Sequence, residues 1–205
     1  NKNPSDRRGF DRRANVREMT KQLSDVETTL EKIQKLIQNR VIITGIGAIT
    51  PYGVGKESFW EALIDKKIGI RRLGKQYRSY SFPKIAGQVK NFDPTSYGIP
   101  EEVVRQTSRA TQFALIAAKL ALEDAKINPE SEIREKIGTI LGTASFPSET
   151  SERAHREFLR KGLKGILSTD LLALLPSSST GWVATLLGLK GKSETVLGGC
   201  TGGIQ

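Results

Sequence analysis

From Val16 to Ile37 the large apolar residues recur at alternating spacings of three and four: Val16, Met19, Leu23, Val26, Leu30, Ile33 and Ile37. That is the seam of a heptad repeat. The positions between are polar, among them Arg17, Lys21, Asp25, Glu31 and Lys35. A helix over 16–38 therefore has one narrow apolar stripe, better suited to a coiled coil or a docking helix than to lying on a broad core. Packing against its own domain is the alternative. Leu at one seam position with Val or Ile at the other leans toward more than two strands, and the strand number stays open. Upstream, residues 1–15, NKNPSDRRGFDRRAN, repeat Asp-Arg-Arg at Asp6 and Asp11 and have only Phe10 as a large apolar side chain. Such a segment cannot offset the entropy of ordering, so it reads as a disordered basic tail.

Asn39 and Arg40 break the stripe, and a globular domain is expected over 40–205. Val41-Ile42-Ile43-Thr44 is a β-branched run ended by Gly45 and reads as a short buried strand. Segment 56–67 places Phe59, Trp60 and Leu63 on one side of a helix, and 85–92 is extended between Pro83 and Pro94. The longest helix of the domain is predicted over 107–126, with Phe113, Ala114, Ala117, Leu120, Ala121 and Ala125 small or apolar at helical spacing. A second buried strand over 137–141, a polar helix over 150–161, an apolar helix over 178–188 and a third strand over 195–197 complete the pattern. Strands separated by helices imply an α/β domain with a largely parallel sheet.

Composition narrows the classes. No apolar run approaches the roughly 20 residues that span a bilayer. Cys200 is the one cysteine, which excludes an internal disulfide, and no signal-peptide pattern opens the chain, so a cytoplasmic setting is expected. The chain begins at Asn1 without a methionine and stops at Gln205 inside a glycine-rich turn, and it reads as a fragment. A formal charge of +10 favours an acidic partner, whether nucleic acid, anionic lipid or an acidic carrier protein. Nucleic acid is disfavoured because no aromatic residues interleave the basic ones to stack on bases.

The chemistry is concentrated near Cys200. A strand ending at Leu197, then Gly198-Gly199, the cysteine, Thr201 and Gly202-Gly203, is how a nucleophile is set on a tight strand-to-helix turn. Small neighbours let a bulky thioester reach the sulfur. A helix beginning just after Cys200 would stabilise the thiolate through its unpaired amides. Gly45-x-Gly47 opens like a dinucleotide fingerprint but has Thr50 where the third glycine belongs, so a nicotinamide cofactor is rejected. His155 lies in a polar segment and reads as a surface residue. No metal or other cofactor is expected.

Three stretches together resemble the β-ketoacyl-[acyl carrier protein] synthase, or ketosynthase, family. They are RVIITGIGAITPYGVGKESFWEALIDKKIGIRRL over 40–73, ATQFALIAAKLALEDAKI over 110–127 followed by IGTILGTA over 137–144, and LLGLKGKSETVLGGCTGG over 186–203. Two departures stand out: Gly198-Gly199 replaces a Thr-Ala type pair before the cysteine, and Lys192 replaces a common proline.

The resemblance implies the N-terminal half of a thiolase-like fold, a mixed, largely parallel sheet with covering helices, preceded here by the coiled-coil helix. It implies that Cys200 accepts an acyl group in a decarboxylative Claisen condensation with a malonyl-carrier thioester, in fatty acid or polyketide synthesis. It also implies that two histidines and a lysine belong to a C-terminal half, that the enzyme is a homodimer or pairs with a related ketosynthase subunit, and that the acidic partner is an acyl carrier protein. Lys66, Lys67, Arg71, Arg72 and Arg105 are the candidate carrier-binding cations. The competing reading is a non-catalytic scaffold or docking subunit.

Overall fold

A computed structural model describes residues 12–38, 41–74, 84–128, 131–144 and 147–204. The chain divides into two compact units, Asn1–Ile43 and Thr44–Gln205. The expected tail over 1–11 and the stripe break at Asn39-Arg40 fall outside the described residues.

The first unit contains helix α1, Arg12–Gln38. It starts four residues before the seam, because Arg12, Arg13 and Ala14 are strong helix formers with no glycine or proline among them. Those residues, read as tail from their charge, are therefore helical. From Val16 to Ile33 every seam side chain is between 45% and 62% exposed. The hydroxyls of Thr20 and Thr29 donate to the carbonyls of Val16 and Asp25 one turn earlier, each at 2.8 Å.

Residues 41–43 do not form the expected buried strand, and Val41 is 97% exposed. β-branching favours an extended backbone, but a strand also needs a neighbour to complete its hydrogen-bond ladder, and none pairs with this run among the described residues.

In the second unit, β1 (Ile49–Thr50) and β2 (Gly53–Val54) form a minimal antiparallel hairpin leading into α2 (Lys56–Ile64). β3 (Ile70–Arg72) and β4 (Ile85–Gly87) form a second antiparallel ribbon. Then follow α3 (Glu101–Gln106), α4 (Arg109–Asp124), β5 (Thr139–Thr143), α5 (Ser148–Lys161), α6 (Ser168–Ala173), α7 (Pro176–Leu186) and β6 (Ser193–Leu197). Among the described residues the strands form three separate two-stranded sheets, of which only β5–β6 is parallel, in place of the one largely parallel sheet that the strand–helix alternation suggests. Only Pro51 and Tyr52 separate β1 from β2, too few for a crossover, which permits only antiparallel pairing there.

Helix α4 organises the core. Ser108 caps it, its hydroxyl accepting from the Thr111 amide. Leu115 and Ile116 are fully buried with Ile99, Val103 and Val183, and half-buried Trp182 of α7 packs on the same cluster. The residues that sequence singled out on α4, Phe113 through Ala125, are instead only partly buried. The difference arises because α4 is contacted on more than one side, which widens its buried stripe beyond the small-residue face.

That small-residue face has its own role. A Cβ on Gly45 would lie 2.2 Å from the carbonyl oxygen of Ala121, and one on Gly47 would lie 1.9 Å from that of Ala117. The Gly-x-Gly pair thus lets the chain cross the helix backbone at contact distance, which explains the glycines without a cofactor. Phe92 and Phe113 meet edge to face at 4.8 Å, and the Arg109 guanidinium lies over both rings. On α2 the expected apolar side faces outward: Ala62 is buried, while Phe59, Trp60 and Leu63 are exposed. No helix among the described residues is long and apolar enough to cross a membrane.

Asp124, at the end of α4, fastens the entry segment. Its carboxylate pairs with the Lys56 ammonium and accepts from the Ile46 amide at 2.9 Å. The Lys56 ammonium, and then the Ile46 amide, hold its pKa below the ordinary 3.8, while Lys56 is held above 10.5. Folded Asp124 binds a proton less readily than unfolded Asp124. The contact should therefore stabilise fully above pH 3.8 and weaken as pH falls toward the lowered folded value. The lysine side behaves oppositely and loses its contribution above pH 10.5. Urea midpoints measured between pH 2 and 5 should fall toward acid, and Asp124→Asn should flatten that limb; equal acid dependence in both proteins would show that the pairing carries none of it.

Candidate active site around Cys200

The parallel pair β5–β6 carries the cysteine. Thr139 to Thr143 run in register with Ser193 to Leu197, so both strands end together, at Thr143 and Leu197. Helix α7 sets their position from one face through a 2.5 Å contact between the hydroxyls of Thr180 and Thr195. On the same helix, the Ser179 hydroxyl bonds that of Thr111 at 2.8 Å, and Thr111 bonds Ser108 at 3.0 Å. This buried chain of hydroxyls ties the start of α4 to α7, and through Thr180 to β6. The hydroxyls of Ser108, Thr111, Ser179 and Thr180 are tolerable in buried positions because each finds a partner.

Past Leu197 the backbone enters a 3-10 turn, Gly199–Thr201, with Cys200 at its centre. The Thr201 amide and hydroxyl both donate to the Gly198 carbonyl, at 3.1 and 2.9 Å. Gly199 has φ +55°, a left-handed conformation that favours glycine. Cys200 thus lies inside the 3-10 turn, of which Thr201 is the last residue. Cys200 is exposed and not in a disulfide.

The floor of the turn is β5. A Cβ on Gly142 would sit 1.9 Å from the Gly202 carbonyl oxygen, so the turn rests directly on the strand at a position where only hydrogen fits. Gly142 and Thr143 also line a cavity of about 350 Å³, together with Ala110, Ala114, Leu141 and Ser179. Sequence reasoning did not single out Gly142. Its signal was a glycine within an otherwise apolar strand pattern, which marks close backbone approach.

His155 is exposed on α5, as its polar surroundings suggest. Among the described residues no cluster of His, Cys, Asp and Glu is arranged to hold a metal ion.

The candidate carrier-binding cations are all exposed but are not one uniform group. Lys66 and Lys67 follow α2, and Lys67 pairs with Asp65 at 2.9 Å, which raises its pKa. Arg71 and Arg72 are consecutive in β3 and so point to opposite faces of the ribbon. Arg71 lines a cleft of about 360 Å³ with Lys90, a cation that sequence reading passed over. Arg105 lies on α3 and is paired with Glu101 one turn earlier at 3.1 Å.

Comparison with known proteins gives this geometry its context. The family described as "Beta-ketoacyl synthase, N-terminal domain" matches residues 38–205. The 3-oxoacyl-[acyl-carrier-protein] synthase 2 of Staphylococcus aureus (strain COL) is 30% identical over 166 residues, which is 81% of this chain and 40% of that protein. Among solved structures, a type II PKS ketosynthase in complex with its acyl-carrier protein superposes with a TM-score of 0.67 at 20% identity, covering 81% of this chain and 44% of that one. A beta-ketoacyl synthase from Burkholderia phymatum STM815 superposes with a TM-score of 0.66 at 24% identity, covering 81% of this chain and 41% of that one. The chain thus spans about two fifths of the length of these relatives. The fold is accordingly the N-terminal half of a thiolase-like ketosynthase. With a match that takes in every element from the glycine segment at Gly45 to the turn holding Cys200, the chain belongs to the beta-ketoacyl synthase family, as its N-terminal domain.

Proposed function

We propose that this chain supplies the nucleophile of a 3-oxoacyl-[acyl carrier protein] synthase, and that Cys200 carries the growing acyl chain. The observation that bears most of the weight is the exposed Cys200 on a glycine-lined turn beyond two strands that end together. In the first half-reaction the Cys200 thiolate attacks the carbonyl carbon of an acyl-carrier thioester. The carbon–sulfur bond to the carrier breaks, the acyl group stays on Cys200, and the carrier thiol takes up a proton. The backbone amide of Cys200 offers one donor to the developing oxyanion. In the second half-reaction a malonyl-carrier thioester loses carbon dioxide. The electron pair left on carbon attacks the acyl-Cys200 carbonyl, and the thiolate is released. Splitting the condensation in this way replaces one difficult step with two easier ones.

Stabilising the enolate needs histidines beyond those of this chain, whose one histidine, His155, is on the surface of α5. They belong, on this reading, to the three fifths of a synthase that this chain does not span. On this reading the synthase works in the cytoplasm, requires no cofactor, and pairs with a second copy or a related ketosynthase subunit. The acidic partner is an acyl carrier protein, guided by the cations around β3, for which charge supplies mainly association rate.

In the protein that carries this chain, incubation with an acyl-carrier thioester should give one acyl adduct per chain by intact-mass analysis, and none in Cys200→Ala. An unmodified Cys200 with carrier binding intact would instead favour a docking subunit without turnover. Gly142→Ala should displace the turn from β5 and slow acylation on the order of 100-fold, the scale expected for a misplacement of about 1 Å, while circular dichroism stays unchanged. Acylation at the original rate would remove the strand contact from the account. Replacing Arg71 and Arg72 together by Glu should weaken carrier binding roughly tenfold at low salt and progressively less as salt rises. Titrations that overlay those of the unaltered protein would exclude this surface.

A further inference from the structure

The cleft that Arg71 and Lys90 share has no part in the chemistry proposed for Cys200, and no residue of the Cys200 turn lines it. It lies between the β1–β2 hairpin, the β3–β4 ribbon and the segment that follows β4. Its walls are tied in place. The Tyr52 hydroxyl accepts from the Gly69 amide at 3.1 Å and donates to the Lys67 carbonyl at 3.0 Å, which fastens the hairpin to the approach to β3. A Cβ on Gly87 would lie 2.9 Å from the Pro51 ring, so β4 and the hairpin meet at contact distance. On the other side the Arg109 guanidinium donates to the Val89 carbonyl at 2.6 Å while lying over the Phe92 ring. Between those two residues Asn91 turns the chain with φ +51°, a left-handed conformation that asparagine tolerates better than most. A cleft held from several sides in this way is preformed, as small-molecule sites commonly are.

The lining is charged in one sense only. Arg71 and Lys90 line the cleft, and among the described residues no Asp or Glu does. Unlike Lys67 and Arg105, neither cation has a carboxylate partner among the described residues, and the sequence joining β3 to β4, 73–84, contains no acidic residue. Two uncompensated cations on one concave surface favour a doubly charged anion. A phosphate monoester carries about −1.5 to −2 charges at neutral pH and accepts through three oxygens. The planar Arg71 fork matches two of those oxygens, and the Lys90 ammonium adds a point charge. A monocarboxylate would leave one cation unmatched. Small-molecule sites start at roughly 300 Å³, so a cleft of about 360 Å³ has room for a compact organic body beside the phosphate. The side-chain amides of Gln88 and Asn91, without partners among the described residues, offer donors and acceptors to hydroxyl groups on that body. The Phe92 and Tyr97 rings supply the apolar surface beneath it.

We propose that this cleft binds a small phosphate monoester of a hydroxylated compound, with the phosphate held by Arg71 and Lys90. The test needs neither acyl group nor carrier, so its outcome is independent of the reading of Cys200. Calorimetric titrations of the full chain at one fixed low salt concentration use ribose 5-phosphate, glycerol 3-phosphate, ribose, inorganic phosphate and sulfate as probes. At least one of the two esters should bind at one per chain, about tenfold or more tighter than inorganic phosphate, and ribose should not bind. Arg71→Glu and Lys90→Glu should each weaken that binding about tenfold or more, the scale of a charge-assisted hydrogen bond. Arg72→Glu makes the same charge change one residue along, on the opposite face of the ribbon, and should alter the affinity less than about twofold. Circular dichroism checks that each variant folds, and Lys90, outside any strand, gives a reading even where Arg71→Glu disturbs the ribbon. Absence of saturable binding by both esters overturns the inference. Equal weakening by Arg72→Glu overturns it too, since the attraction would then belong to the basic surface at large. So does equal affinity for the esters, inorganic phosphate and sulfate, which would mean an adventitious ion only.

Discussion

The site depends on how closely two pieces of backbone can approach. The turn that holds Cys200 rests on β5 at Gly142, where any side-chain atom would overlap the Gly202 carbonyl. That contact fixes the height of the cysteine above the strand ends without using a side chain. The remaining structure holds the two strands in register. Thr180 reaches β6, Ser179 reaches the start of α4, and α4 is anchored in the apolar cluster around Leu115 and Ile116. Two short sets of hydroxyl contacts, Ser108–Thr111–Ser179 and Thr180–Thr195, thus tie α4 and β6 to the same helix, α7.

Much of this was legible in the sequence, and the exceptions share a cause. The four longer helices of the second unit, the parallel strands leading to Cys200 and the glycine turn around it follow from local pattern, because periodicity and turn chemistry are local properties, whereas the six-residue helices α3 and α6 are too short to show a period. What failed was burial. Val41 to Ile43 read as a buried strand and are exposed, and Phe59, Trp60 and Leu63, grouped on one side of a helix, are exposed as well. Apolar character states what a residue would gain by being covered, but what covers it is decided by elements far away in sequence. Leu115 and Ile116 were passed over for the opposite reason, since a helix contacted on several sides buries residues off its obvious stripe. Gly142 was hidden because a glycine's importance depends on what stands opposite, and Gly202 is sixty residues away.

The cations show a related limit. Sequence gathers Lys66, Lys67, Arg71, Arg72 and Arg105 by sign alone, whereas the fold sorts them by what they already hold. Lys67 and Arg105 are committed to carboxylates at their own helix ends, so recruiting them to a partner means exchanging one ion pair for another. Exposed pairs of this kind are worth little each. Arg71 differs in sharing a cleft with Lys90, where two positive charges near one concave surface raise the local potential more than either does on an open face.

The placement of the two tryptophans also decides what optical spectroscopy can read. Trp182 sits half-buried against the Leu115–Ile116 cluster, while Trp60 is largely in water on α2. Emission from the folded chain is therefore a superposition of a shielded and a hydrated indole. The shielded one changes surroundings more when the core melts, so a fluorescence unfolding curve reports mainly the packing of α7 against α4, the same packing that holds β6 in place.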